Sequence, residues 1–212
     1  MKIAVVYGSL TGNTERLARG VFDRISPEYE KALFDIKDKP DLSDYDVIAF
    51  GFWVDRSFPY KAMKDLISET RDKDVFLMGT MGYYPDSDHG QACIKNSVSL
   101  VDKSCNLMGY FICNGKVDTK LLERMAQMKP KNMGEEIFKK HMLDEKNLIR
   151  YKKLGEHVNE TDIEFCSARF NERIAIKAAI YSLLFQYIFI YRIMIPQIPT
   201  NIIFLNYVRK GN

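Results

Sequence analysis

The sequence predicts an α/β protein built on a doubly wound, five-stranded parallel sheet in the order 2-1-3-4-5, followed by an atypical apolar C-terminal tail. Three observations predict it. Short apolar runs alternate with amphipathic stretches through the first half of the chain, which is the pattern of strands joined by crossover helices. Most of the short runs are continuously apolar, as befits strands covered on both faces. The first run passes directly into a loop of Gly, Ser and Thr that opens a helix.

Ile3, Ala4, Val5, Val6 and Tyr7 form that first run. A loop over residues 8–14 leads into a helix to about residue 25, with Leu17, Val21, Phe22 and Ile25 on one face. Residues 29–36 alternate charged and apolar side chains, which suits a strand near the sheet edge. Val47, Ile48, Ala49 and Phe50 make the next buried strand, and a helix over 60–70 turns Met63, Leu66 and Ile67 inward. A fourth strand is expected at 75–78, a helix at 91–102 and a fifth strand at 107–113. Beyond Gly115 the reading is helical: a stripe of Leu121, Leu122, Met125 and Met128, then a charged helical stretch over 133–158 with Ile137, His141, Leu148 and Ile149. One of these is expected to cover the sheet face left open by the earlier helices. Residues 1–160 read as one domain and 161–212 as an extension.

Composition narrows the function. With 46% hydrophobic and 28% charged residues, a 212-residue chain can bury a core without disulfides or metal. The four cysteines (Cys93, Cys105, Cys113 and Cys166) form no CxxC pair and no zinc spacing, which suggests reduced thiols and a cytoplasmic setting. Lys2 is followed by too short an apolar run for a signal peptide. Basic and acidic residues balance over 1–160, so the net charge of +3 comes from the last 52 residues. A neutral body gives no electrostatic case for nucleic-acid binding.

In a sheet of this order ligands sit beyond the carboxyl ends of the strands, beside strand 1. Loops 8–14, 51–59 and 80–90 converge there. The first contains Ser9, Leu10, Thr11, Gly12, Asn13 and Thr14. Backbone amides at a helix N-terminus favour a phosphate, three hydroxyls add donors, and Gly12 allows close approach of the backbone. No Walker lysine follows, which disfavours a nucleoside triphosphate, and GxGxxG is absent.

Ser/Thr-x-Thr-Gly-x-Thr after the first strand resembles the flavodoxin phosphate loop at every fixed position. The resemblance covers roughly residues 1–158 and implies a flavodoxin-like fold with FMN as cofactor. It places Phe52, Trp53, Val54 and Asp55 in a loop against one side of the flavin, with Trp53 as the stacking residue. It places Thr80 and Met81, Gly82 and Tyr83 along the pyrimidine edge, with Tyr83 preferred over Tyr84 as an aromatic on the opposite face. Many flavodoxins carry a glycine near flavin N5 whose peptide flips on reduction. Between Phe52 and Pro59 there is none, and Asp55 is the residue there that best tolerates positive φ. His89 and Cys93, four residues apart, read as packing rather than catalysis, so no catalytic residue and no metal ligand is assigned. Phe111, Cys113, Gly115 and Lys116 close the fifth strand in a pattern that recurs among small flavodoxin-like proteins. Together with the Trp53 segment they resemble the flavodoxin-like partners of bacterial bilirubin reductases.

The tail stands apart. Ala178 to Tyr191 carries no charge, Arg192 interrupts, and an apolar run with Pro196 and Pro199 continues to Val208. Three readings are open for residues 174–208: a membrane-associating segment, a docking surface for a partner or a second copy, and an irregular extension without a role. Poor amphipathicity argues against a regular helix there. For the whole chain the leading reading is an electron carrier that passes reducing equivalents from a donor to an acceptor enzyme, with bilirubin reduction as the process the resemblance implies. An FMN-dependent reductase of a quinone or other organic substrate, and a non-redox binding module on the same fold, are the alternatives.

Overall fold

The computed structural model describes residues 1–118, 120, 122, 123 and 144–194, with side chains to 189. The elements run β1 (Lys2–Tyr7), α1 (Asn13–Asp23), β2 (Glu30–Asp35), β3 (Val47–Asp55), β4 (Phe58–Pro59), α2 (Lys61–Glu69), β5 (Asp74–Met81), α3 (Asp88–Val98), β6 (Asn106–Asn114), α4 (Glu145–Leu154) and α5 (Glu160–Met194). The sheet order is β2-β1-β3-β5-β6, all parallel, with β4 as a short antiparallel partner of β3. The five expected strands and their order are therefore present, and β4 is an addition.

Strand periodicity divides the core. Ala4, Val6, Ile48, Phe50, Phe52, Val75 and Leu77 form one cluster with Met63 and Ile67 of α2. The alternate residues Ile3, Val5, Val47, Ala49 and Phe76 are equally buried on the other face, as a sheet covered on both sides requires. Phe170 of α5 packs on Phe76 with ring centroids 4.9 Å apart, and Ile163 of the same helix lies against Gly20 of α1. A side chain at Gly20 would collide with Ile163, so the glycine sets how closely these helices approach.

Several sequence expectations need correction. The first turns of α5 cover the sheet face left open by the earlier helices, with Ile163, Cys166 and Phe170 buried. Of the stretch 133–158 the described part contains α4, where Leu148 and Ile149 are exposed while Asn147, Arg150 and Leu154 are buried. Leu121, Met125, Met128, Ile137 and His141 lie outside the described residues. The tail is also more regular than its pattern suggested: α5 continues as helix to Met194. The chain divides into two compact units, Met1–Phe170 and Asn171–Asn212. Among the described residues no helix is long and apolar enough to cross a membrane.

Candidate functional site

The carboxyl ends of β1, β3 and β5 place three segments side by side. After β1, Gly12 adopts φ +86° as the N-cap of α1, a left-handed conformation that costs a side-chain-bearing residue about 1–2 kcal/mol. The Ser9 hydroxyl accepts from the Gly12 amide at 3.0 Å and so folds the loop back on itself. No side chain caps α1 or α2, whereas Ser87 caps α3 and Asp144 caps α4 through bonds to Gly90 N and Asn147 N. The amides of the first α1 turn have no intrahelical acceptor. Space beside Gly12 is open, with no heavy atom within 4 Å of where a Cβ would stand. Leu10, Thr11 and Gly12 are exposed, so the loop can be reached from solvent.

Thr14 behaves differently from Ser9 and Thr11. It is buried, and its hydroxyl lies 2.9 Å from that of Thr80 at the end of β5. One hydroxyl hydrogen bridges the pair and the other remains to donate. Thr14 thus fastens the first loop to the third strand end, a role the sequence pattern alone does not reveal.

The segment after β6 joins the same place, which sequence reasoning missed. The Asn13 side-chain amide donates to Thr11 Oγ1 at 2.8 Å and to the Lys116 carbonyl at 2.9 Å. Asn114 Nδ2 donates to the Tyr83 carbonyl at 2.6 Å, and Gly115 N to the Met81 carbonyl at 3.0 Å. Residues 114–116 therefore clamp both the 8–14 and the 80–90 segments. The available signal was register: Asn114 pairs with Met81, at the same strand end as the expected site.

The Trp53 segment is not a loop. Strand β3 continues to Asp55, turns at Arg56 and Ser57, and returns through β4, with Val54 opposite Pro59 and Asp55 opposite Phe58. Positive φ falls on Arg56 (47°) and Ser57 (70°), as a two-residue hairpin turn demands, and not on Asp55. Ladder pairing explains the change, because β3 outruns β1 and finds partners in β5 and β4. The Ser57 carbonyl accepts from Asn96 Nδ2 at 3.0 Å, which pins the turn to α3.

Strand alternation then sorts the side chains. Phe52 is fully buried in the core, and Met81 nearly so, leaving them only backbone to offer a ligand. Val54 packs at the margin of that core, while Asp55 is exposed. Trp53 faces Tyr60 across the hairpin, their rings stacked at 5.2 Å and 10°. Tyr60 was not anticipated. Its hydroxyl would meet any side chain placed on Gly8, so the ring lies over the exit of β1. Burial first, and then the nearby Asp35 charge, push the Tyr60 phenol up to about 12.

In the 80–90 segment, Thr80 is buried with Thr14. A Cβ on Gly82 would strike Val117, so glycine is required for close packing there. The Tyr83 ring has the Arg150 guanidinium 4.9 Å above it and meets Tyr84 and His89 edge-on. Tyr84, 42% exposed, is the more open of the two tyrosines. His89 Nε2 lies 3.7 Å from Cys93 Sγ. Burial raises the Cys93 thiol above its ordinary range against the pull of a Ser57 hydrogen bond, so it remains a protonated, weakly nucleophilic thiol.

A parallel α/β sheet with an open, glycine-bearing helix N-terminus beside strand 1 and aromatic rings on the next strand defines a mononucleotide-binding protein of the doubly wound class. The chain belongs to the flavodoxin family: the Flavodoxin domain matches residues 4–171. The flavodoxin-like domain-containing protein BilS of Clostridioides difficile is 30% identical over 187 residues, which cover 85% of this chain and 99% of that protein. A protein of the same name from Clostridium symbiosum is 26% identical over 143 residues, covering 60% and 75%. Oxidised Flavodoxin 2 of Bacillus cereus, a solved structure, is 19% identical with a TM-score of 0.48, covering 84% and 99%. As a flavodoxin the protein takes FMN, and the first loop fits that group: its donors suit a phosphate and its glycine leaves room for one.

Proposed function

We propose that this chain is an FMN electron carrier that delivers reducing equivalents to a partner reductase, and that the partner reduces a tetrapyrrole such as bilirubin. The single observation that carries the cofactor site is the open N-terminus of α1, with Gly12 in the left-handed conformation and no heavy atom within 4 Å of where its Cβ would stand. In this reading the α1 amides, Ser9 and Thr11 bind the phosphate. Asn13 and Thr14 hold the loop against Lys116 and Thr80. Trp53, backed by Tyr60, offers the remaining face of its indole to the flavin ring, and Thr80, Gly82 and Tyr83 border the opposite edge. Bound FMN supplies the redox chemistry, and the protein supplies position, exclusion of water and electrostatics.

Two lines support the partner. The Trp53 segment and residues 111–116 resemble flavodoxin-like partners of bacterial bilirubin reductases, and the two BilS proteins are similar over most of their length. Exposed charges at this end of the sheet are of both signs: Asp55, Asp86 and Asp88, with Arg56 and Lys116. Such a surface favours a dedicated contact over long-range steering of many basic partners.

The test is reduction of the purified FMN-loaded protein, followed by mixing with a tetrapyrrole reductase and, separately, with bilirubin alone. Reoxidation that requires the reductase supports the carrier. Reoxidation by the pigment alone identifies a stand-alone reductase instead, and a protein that takes up no FMN removes the redox reading.

A further inference from the structure

Beyond Phe170 the chain forms its second compact unit, which lies past the Flavodoxin domain match but for Asn171. Within it α5 runs on to Met194. Ile180, Tyr181, Leu183, Phe185, Tyr187 and Phe189 are each more than half exposed, Phe185 reaching 72%. Successive helical residues lie 100° apart, so these six spread around most of the helix rather than along one stripe. A groove on a partner protein takes a stripe, whereas a helix apolar on most sides is suited to immersion in an apolar medium.

Charge points to the medium. From Arg173 to the last residue there is no Asp or Glu, but there are five cations: Arg173, Lys177, Arg192, Arg209 and Lys210. The first 160 residues are balanced, so the cations collect with the apolar segment. A second copy of the chain would set like charges together. An anionic lipid surface would neutralise them, at about 1 kcal/mol for each basic residue near the headgroups. The Lys177 ammonium lies 4.9 Å over the Tyr181 ring, an amphipathic pair of the kind that sits where headgroups meet acyl chains. The uncharged run from Ala178 to Tyr191 spans about 21 Å as helix, short of the ~30 Å hydrocarbon core. The helix is therefore too short to cross the bilayer and is suited to entering one leaflet obliquely, with Arg173 and Lys177 kept at the headgroups.

We propose that residues 173–194 dock this protein on an anionic lipid surface, the apolar side chains of α5 entering the headgroup–acyl boundary and the cations meeting lipid phosphates. The proposal rests on residues outside the flavodoxin domain and stands whether or not the tetrapyrrole reading holds.

Flotation of the full-length, FMN-loaded chain with vesicles tests it. One set is phosphatidylcholine alone and the other contains phosphatidylglycerol, each at low and high salt. The expected result is flotation with the anionic vesicles, weakened by salt and much reduced on phosphatidylcholine. Arg173→Gln and Lys177→Gln should each lower the partition constant about fivefold. A Leu183→Asp, Phe185→Asp double variant should stay with the soluble fraction while keeping its flavin absorbance, which shows that the domain is folded. Failure of the wild-type chain to float with either vesicle overturns the proposal, as does equal flotation with both. A vesicle-indifferent dimer that Leu183→Asp and Phe185→Asp dissociate assigns the surface to a second copy and overturns it too.

Discussion

The loop that opens α1 and the hairpin that extends β3 border the same end of the sheet, yet they are held by different forces. The loop is fixed by side chains that bond to backbone and to one another: Ser9 to Gly12, Asn13 to Lys116, Thr14 to Thr80. That arrangement fixes the loop while leaving helix amides facing outward. The hairpin satisfies its own backbone through the β3–β4 ladder and presents a stacked Trp53–Tyr60 pair. One region recognises with the main chain, the other with rings. Substitutions should therefore act on the loop through glycine and hydroxyl groups, and on the hairpin through aromatic packing and turn strain.

The largest effect is expected where the loop is buried. Thr14→Val keeps the shape of the side chain but leaves the Thr80 hydroxyl without its partner, a cost of about 1–3 kcal/mol. Thermal unfolding should show it as a drop of several degrees in Tm, with weaker FMN binding; an unchanged Tm would mean the pair does not fasten the loop. Gly12→Ala comes next. Holding alanine at φ +86° costs about 1–2 kcal/mol, and its methyl group would fill the open space of the site. Loss of FMN affinity should exceed the loss in Tm, and calorimetric titration separates the two.

On the hairpin the sign reverses. Arg56 is exposed and occupies positive φ without being glycine, so Arg56→Gly relieves strain and should stabilise the protein by up to about 1 kcal/mol in urea unfolding. A destabilised variant would show that the Arg56 side chain does more than shape the turn. The smallest effect at neutral pH belongs to Tyr60→Phe, which keeps the stack. Its signature is alkaline. The folded Tyr60 phenol titrates at about 12, above its ordinary value of 10, so the folded state holds that proton longer than the unfolded state. Stability from this source is complete below pH 10 and is lost as pH rises toward 12. Tyr60→Phe should flatten that part of the stability–pH curve, and an unaltered curve would place the late-titrating phenol elsewhere.

The same contrast explains what the sequence made legible. The first loop was readable because a phosphate imposes residue types at fixed spacing, and the strands were readable from their apolar runs, with 29–36 marked instead by alternation. Hairpin β4 was not readable, since a two-residue turn of Arg56 and Ser57 lacks the Asn-Gly or Gly-containing signature that positive φ usually requires. Tyr60 escaped notice because its contact with Gly8 joins residues on different elements. Thr14 was read as a phosphate donor because the motif names its type but not the direction of its hydroxyl. In α4 the burial of Asn147 and Arg150 in place of Leu148 and Ile149 defeats a reading by hydrophobicity, with the Arg150 guanidinium set against the rings of Tyr83 and Tyr151. Continuation of α5 to Met194 was hidden by the lack of an apolar stripe, the same property that marks its exposed part for a lipid surface.

The central claim is that the open N-terminus of α1 holds the FMN phosphate. Titration of the flavin-free protein with FMN and with riboflavin, which lacks the phosphate, tests it most directly. FMN should bind at least about tenfold more tightly, a difference of about 1.4 kcal/mol or more, and Gly12→Ala should erode FMN affinity while leaving riboflavin affinity nearly unchanged. Equal affinity for the two flavins would contradict it.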